Sequence, residues 1–226
     1  MTAGAVRAVL LDLDGTLVDS VADIAHAIDA TLQEAGLPML GIDGTRPLVG
    51  KGAMNLVARA LATVRHAEPS DADVEAMHAA FIPNYRKTNG RYSTVYDGVF
   101  EGLDLMRAAG FALGCVTNKP REMAAGLLAA MKLDHYFAVL VAGGDTERKK
   151  PDPQPVLLAC ERLGAAPLQT VMIGDSANDA DAARRAGCEV WLVPYGYSEG
   201  RAIETVDSDW IVPTLVDAAR LLTQAR

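Results

Sequence analysis

Asp12 and Asp14 stand two residues apart, at the end of an apolar run and directly before a glycine. In extended chain, side chains two residues apart lean to the same side. Crowded carboxylates repel, so one must be neutralised by a cation or a proton. Both remedies suit phosphoryl transfer. One carboxylate, held on Mg²⁺, attacks phosphorus and becomes an aspartyl phosphate. The other, protonated, gives its proton to the departing alkoxide and then takes one from water. Gly15 allows a tight turn that offers backbone N–H groups to phosphate oxygens, with Thr16 next to it. A bare Asp-x-Asp is more often a turn or helix-capping pair, so other segments must complete the chemistry.

Asp175 and Asp179 supply more oxygen ligands. Mg²⁺ takes one or two carboxylates together with water and substrate phosphate. Asp175 ends an apolar run and is placed as a ligand; Asp179, one helical turn on, is placed to hold a metal-bound water or orient a neighbour. Thr117, Asn118 and Lys150 face the opposite task. A transferring phosphoryl group carries negative charge on three equatorial oxygens. Thr117 can donate a hydrogen bond to it, with Asn118 alongside, and Lys150 can bring an ammonium that also quenches repulsion between Asp12 and the anion. Lys149 is a rival, but Pro151 stiffens the chain directly after Lys150.

These residues share one kind of position. Apolar runs of strand length cover Val6 to Leu13, Phe111 to Val116, Phe137 to Ala142, Thr170 to Ile173 and Val190 to Val193. They are short and mostly non-alternating, as in strands buried on both faces. Helical patterns separate four of them: one opening at Pro120, Val156 to Leu163 stopping at Gly164, and Ala180 to Ala186 stopping at Gly187. Strands alternating with helices predict an open α/β fold with a parallel sheet, whose ligands bind beyond the carboxyl ends of the strands. Between Val18 and about Tyr92 no strand is expected. Helical spacing runs from Val21 to Leu32 with Ser20 as N-cap, near Ala53 to Val64, and near Asp71 to Arg86. This stretch is an inserted all-helical cap, which gives a core of residues 1–17 and 95–226 and a cap of 18–94. The turns near Thr16 to Asp19 and Thr94 to Gly98 are the expected hinges. Thr214 to Gln224 reads as a closing helix.

Composition bounds the function. At 226 residues and 50% hydrophobic, the chain can fill one core with a modest insertion. A net charge of −8 and 5% aromatics argue against a nucleic-acid binder. The three cysteines (Cys115, Cys160, Cys188) are scattered, with no disulfide framework or zinc spacing, and are expected to pack as small hydrophobes. The isolated histidines (His26, His66, His78, His135) are expected on the surface or in packing, and Trp191 and Trp210 in the core. No leader or membrane span is read from the sequence, so the expectation is a cytoplasmic protein with no membrane partner, monomeric or a small homo-oligomer.

In order, DLDGT, VTN, KKPDP and GDSAND match the four motifs of the haloacid dehalogenase-like (HAD) phosphatase superfamily, which the chain resembles over nearly its full length. The resemblance implies a Rossmann-like core with a C1-type helical cap, Asp12 as nucleophile, Asp14 as acid and base, and Thr117 and Lys150 as phosphate binders. It implies Mg²⁺ on Asp12, Asp175 and the backbone carbonyl of Asp14. Family dehalogenases, phosphonatases and transport ATPases lack an acid at the position of Asp14, so its presence favours phosphomonoester hydrolysis or phosphomutase chemistry. Within the superfamily, DLDGTLVDS, LVGKGAMNLV, GCVTNKP, AGGDTERKKPDPQP, GDSANDADAARRAG and VPYGYSEG resemble the phosphoglycolate phosphatases. VGKG and PYGY lie outside the chemistry, so agreement there carries substrate information. Sugar-phosphate and amino-sugar-phosphate phosphatases share much of the pattern, and a phosphomutase or a non-catalytic phosphate-binding module are the alternatives.

Gly50, Lys51 and Gly52 fail the Walker spacing and read instead as a specificity loop of the cap. A small anionic phosphomonoester such as 2-phosphoglycolate needs a cation for its carboxylate. Lys51, Arg46, Arg86 and Arg91 are the candidates.

Overall fold

The computed structural model describes residues 5–224. In chain order the elements are β1 (Ala8–Leu11), β2 (Val18–Asp19), α1 (Val21–Glu34), α2 (Gly41–Thr45), α3 (Ala53–Arg65), α4 (Asp71–Thr88), β3 (Thr94–Val95), α5 (Val99–Ala108), β4 (Ala112–Pro120), α6 (Arg121–Ala130), β5 (Val139–Gly143), α7 (Gln154–Leu163), β6 (Thr170–Gly174), α8 (Ala177–Ala186), β7 (Glu189–Leu192), β8 (Trp210–Ile211) and α9 (Leu215–Gln224). Six strands form one sheet in the order β5-β4-β1-β6-β7-β8, and every pairing in it is parallel. The apolar runs read as strands all pair, because each side chain of β1 and β6 is buried against helices on both faces. One core cluster joins Val9 and Leu11 to α5, α6 and α9; the other joins Leu10 and Met172 to α7 and α8. β1 and β6 are neighbours, with Leu11 opposite Ile173, so the acids that follow them emerge side by side.

The helical stretch has its own core, built on Ile28, Leu32, Val57, Leu61 and Phe81. Its anchor is Asp23, a fully buried carboxylate of α1. It accepts hydrogen bonds from the N–H groups of Gly90, Arg91 and Tyr92 and from the Ser93 hydroxyl, which fixes the start of α1 to the far end of the helical segment.

Five sequence expectations need correction. The hinge turns are not free coil: Val18 and Asp19 pair antiparallel with Val95 and Thr94, a two-stranded ribbon where no strand was expected. Ser20 occupies the N-cap position of α1, but its hydroxyl makes no cap bond and donates instead to Asp14 Oδ1. Pro120 ends β4, and α6 begins one residue later. Trp210 is half-exposed at 51% because β8 is a two-residue strand on the sheet edge, whereas Trp191 is buried at 4%. α2, α5 and β8 have no counterpart among the elements expected from the sequence. Elsewhere α8 starts at Ala177, three residues early, because Ser176 and Asp179 form a capping box.

Candidate active site

The ends of β1, β4 and β6 meet at one edge of the sheet. Asp12 follows β1, and its N–H still bonds to Ile173 of β6. Asp175 follows β6, and Asp179 lies in the first turn of α8. Asp12, Asp175 and Asp179 are all buried, and each offers a carboxylate oxygen within 4.8 Å of the others. Among the described residues, one ammonium faces this group. Lys150 Nζ lies 2.9 Å from Asp12 and 2.6 Å from Asp179, and also donates to the Val116 carbonyl at 2.7 Å. Burial alone would depress the lysine, but the two carboxylates outweigh it and hold it above the ordinary range. One cation does not neutralise three acids. Burial, reinforced by the charges of Asp179 and Asp14, pushes Asp12 up to about 7 despite the opposing pull of Lys150. Burial and the two neighbouring acids also push Asp175 well above its usual range. Clustered hard oxygen donors with uncompensated charge fit a divalent cation such as Mg²⁺.

The loop after β7 frames Asp175. The Tyr197 N–H donates to its Oδ2 at 2.7 Å, and the Thr16 hydroxyl to its Oδ1 at 3.3 Å. Gly15 and Gly196 close in around it. A Cβ at Gly15, whose φ is +87°, would meet Asp175 Oδ2 at 2.4 Å, and a Cβ at Gly196 would meet the Asp175 Cβ at 2.3 Å. Tyr197 reaches the helical segment as well: its hydroxyl accepts from the N–H groups of Ser20 and Val21 and donates to Asp19 at 2.9 Å. The PYGY stretch therefore supports the chemical centre, where the sequence reading placed it outside.

A second group lies around Asp14. Its Oδ1 accepts from the Ser20 hydroxyl and from Lys119 Nζ at 2.9 Å. Lys119, at the tip of β4, also donates to the Tyr85 hydroxyl from α4. It is buried at 4% exposure. Burial would lower it, but Asp14 and Tyr85 outweigh that and keep it charged. A cleft opens beside these groups, lined by Asp12, Asp14, Thr117, Asn118 and Lys119 on one side and by apolar residues of α1, α3 and α4 on the other.

Several expected phosphate contacts are otherwise engaged. The Gly15 N–H goes to the Val18 carbonyl at 2.9 Å and the Thr16 N–H to that of Leu13 at 3.4 Å, so both close the turn. The Asn118 amide donates to the carbonyls of Gly50 and Lys150 and accepts from the Lys150 N–H, which makes it a brace between loops. The Lys150 ammonium already has three oxygens within 2.9 Å, so all three of its donors are occupied. Thr117 lines the cleft at the end of β4. Its oxygen accepts from the Lys119 N–H at 3.2 Å, which leaves the hydroxyl hydrogen to donate. Lys51 lies 3.5 Å from Glu199 and does not line the cleft. Asp179 accepts from Lys150 Nζ and from the N–H and hydroxyl of Ser176. Lys119 follows Thr117 and Asn118 at the strand end without a role expected for it, and Tyr85 and Tyr197 are not expected there at all. Lys119 was within reach of the rule applied to Asp12 and Asp14, because it stands two residues after Thr117.

The family model for haloacid dehalogenase-like hydrolases matches residues 6–187. A phosphoglycolate phosphatase of Cupriavidus necator is 44% identical over 97% of this chain and 94% of its own length. One of Nitrosospira multiformis is 42% identical over 97% of both. The crystal structure of a predicted phosphoglycolate phosphatase from Haemophilus somnus 129PT superposes with a TM-score of 0.89 at 32% identity, covering 98% of this chain and 99% of that one. The family match over residues 6–187 and the near full-length superposition agree, and the chain belongs to the haloacid dehalogenase-like hydrolase family.

Proposed function

We propose that the protein is a Mg²⁺-dependent phosphomonoesterase that hydrolyses 2-phosphoglycolate to glycolate and phosphate through an aspartyl phosphate on Asp12. One observation carries this reading: the acid-rich cluster around Asp12 adjoins a small, largely apolar cleft in which a second acid, Asp14, stands ready beside the first. Near full-length similarity to proteins named phosphoglycolate phosphatase supports the substrate.

In this reading residues 18–94 are a cap over a core of 1–17 and 95–226. Asp12, Asp175 and the backbone carbonyl of Asp14 would hold Mg²⁺, with Asp179 behind them. Bound there, the ion offsets the charge that keeps an anionic ester away from carboxylates. The Asp12 carboxylate attacks phosphorus as the ester P–O bond breaks. Asp14 gives its proton to the leaving oxygen. Thr117 donates to an equatorial oxygen, and Lys150 offsets the charge that builds there. Asp14 then takes a proton from water, whose oxygen attacks the aspartyl phosphate and restores Asp12. Ser20 and Lys119 both hold Oδ1 of Asp14, which leaves Oδ2 for the two proton transfers. Water must enter after glycolate leaves, and the ribbon of β2 and β3 is where the cap would swing.

A panel of phosphorylated metabolites, ranked by kcat/KM with Mg²⁺ present, tests the proposal. 2-Phosphoglycolate is expected to rank first and release free phosphate, EDTA to abolish turnover and Mg²⁺ to restore it. A sugar phosphate ranking first, or an isomer appearing in place of phosphate, would replace this reading with a sugar phosphatase or a mutase.

A further inference from the structure

Resting on that reading, the structure also bears on which residue recognises the rest of the substrate. A small phosphorylated acid carries a second negative charge, so its leaving group needs a cation within reach of Asp14. The cations expected from the sequence are engaged elsewhere. Lys51 faces Glu199, Arg86 binds Glu122 at 2.7 Å, and Arg46 lies 4.0 Å from Asp19 and over the Tyr197 ring. Neither these nor Arg91 line the cleft, and the single cation among the cleft-lining residues is Lys119.

An ammonium carries three donors. Two of those on Lys119 go to Asp14 and Tyr85, and among the described residues the third has no acceptor. Opposite it the wall is Ile24, Val49, Ala53, Leu56 and Phe81, which offer no side-chain partner to a sugar hydroxyl. With the leaving oxygen at Asp14 for protonation, a carboxylate one carbon further on falls beside the Lys119 ammonium, 2.9 Å from Asp14. We propose that Lys119 is the specificity-determining cation of this site, and that its unused N–H binds the carboxylate of a leaving group that is a short α-hydroxy acid.

The experiment compares 2-phosphoglycolate with its uncharged isostere, 2-phosphoglycolamide, in the wild-type protein and in Lys119→Gln and Lys119→Arg. The wild type is expected to favour the acid on the order of 100-fold in kcat/KM, since a buried charged hydrogen bond is lost with the amide. Lys119→Gln should bring that ratio below about tenfold, mostly through KM for the acid, and Lys119→Arg should restore part of it. If Lys119→Gln slows both substrates equally and keeps the ratio, Lys119 acts only through Asp14 and the assignment is overturned. A wild-type ratio near one overturns it without any variant, so a glutamine variant that fails to fold does not shield it. Failure of the wild type to hydrolyse 2-phosphoglycolate at all is a different result, because it removes the functional reading itself.

Discussion

Two groups of charge flank the paired acids at the end of β1, and they are balanced differently. Around Asp12, three buried carboxylates share the single ammonium of Lys150. Around Asp14, one carboxylate meets one ammonium, Lys119, and the hydroxyls of Ser20 and Tyr85 complete the set. The three acids of the first group are buried, so solvent does little for their excess charge, whereas Asp14 is partly exposed at the cleft. The first group lacks positive charge and shows it, with Asp12 pushed up to about 7 by burial and by its acidic neighbours. The second is nearly self-sufficient and keeps one ammonium donor in reserve. On the proposed reading, such a site is completed twice: on one side by a cation that stays, on the other by an anion that arrives and leaves.

The harshest way to break the contrast is Asp12→Asn. On the proposed mechanism it deletes the nucleophile and a metal ligand together, so phosphate release should fall by several orders of magnitude. The same change removes one of three crowded acids. Without metal, the variant should therefore melt no lower than the wild type, and a gain of ~1 kcal/mol corresponds to roughly 2–4 °C for a chain of this size. Single-turnover assays and thermal melts check the two halves. Near-normal turnover would end the role given to Asp12, and a marked loss of stability would show that its charge is not in surplus.

Metal and pH sharpen the comparison with a smaller effect. Asp12 has a folded-state value near 7 against 3.8 for a free aspartate, and Asp175 is shifted in the same direction. The folded protein therefore binds protons that the unfolded chain releases. The stability this contributes is complete below about pH 4 and is lost as pH rises through about 7. Mg²⁺ competes for the same oxygens, so its stabilisation of the fold should be small at pH 5.5 and larger at pH 8. Melting curves at both pH values, with EDTA and with Mg²⁺, give the measurement. An equal shift at both pH values would mean that the ion binds elsewhere.

Much of this was legible in the chain because buried parallel strands write themselves as apolar runs, and the polar residues that follow them are at the sheet edge by construction. That rule placed Asp12, Asp14, Thr117 and Asp175, and the proline after it singled out Lys150 over Lys149. What the rule does not carry is hydrogen-bond accounting. Gly15 and Thr16 look like phosphate donors until their N–H groups are traced to Val18 and Leu13. Asn118 looks like a ligand until both ends of its amide are found on Lys150. Tyr85 and Tyr197 come from distant segments, and only the packing of α4 and of the loop after β7 brings them in. Trp210 shows the same limit in reverse, since a large apolar residue on a two-residue edge strand is covered on one side only and stays half-exposed.

The mildest break lies at Ser20, which belongs to the balanced side. Ser20→Ala removes one hydrogen bond to Asp14 Oδ1, while the Lys119 contact at 2.9 Å keeps the carboxylate in place. A hydrogen bond of that kind is worth about 1 kcal/mol net, so kcat should fall roughly fivefold. The Mg²⁺ concentration for half-maximal activity should not move, because Ser20 donates to none of the three clustered acids. Steady-state rates over a Mg²⁺ titration separate the two quantities. If the half-saturating concentration shifts along with kcat, charge on the two sides of the site is coupled, and the division drawn between them fails.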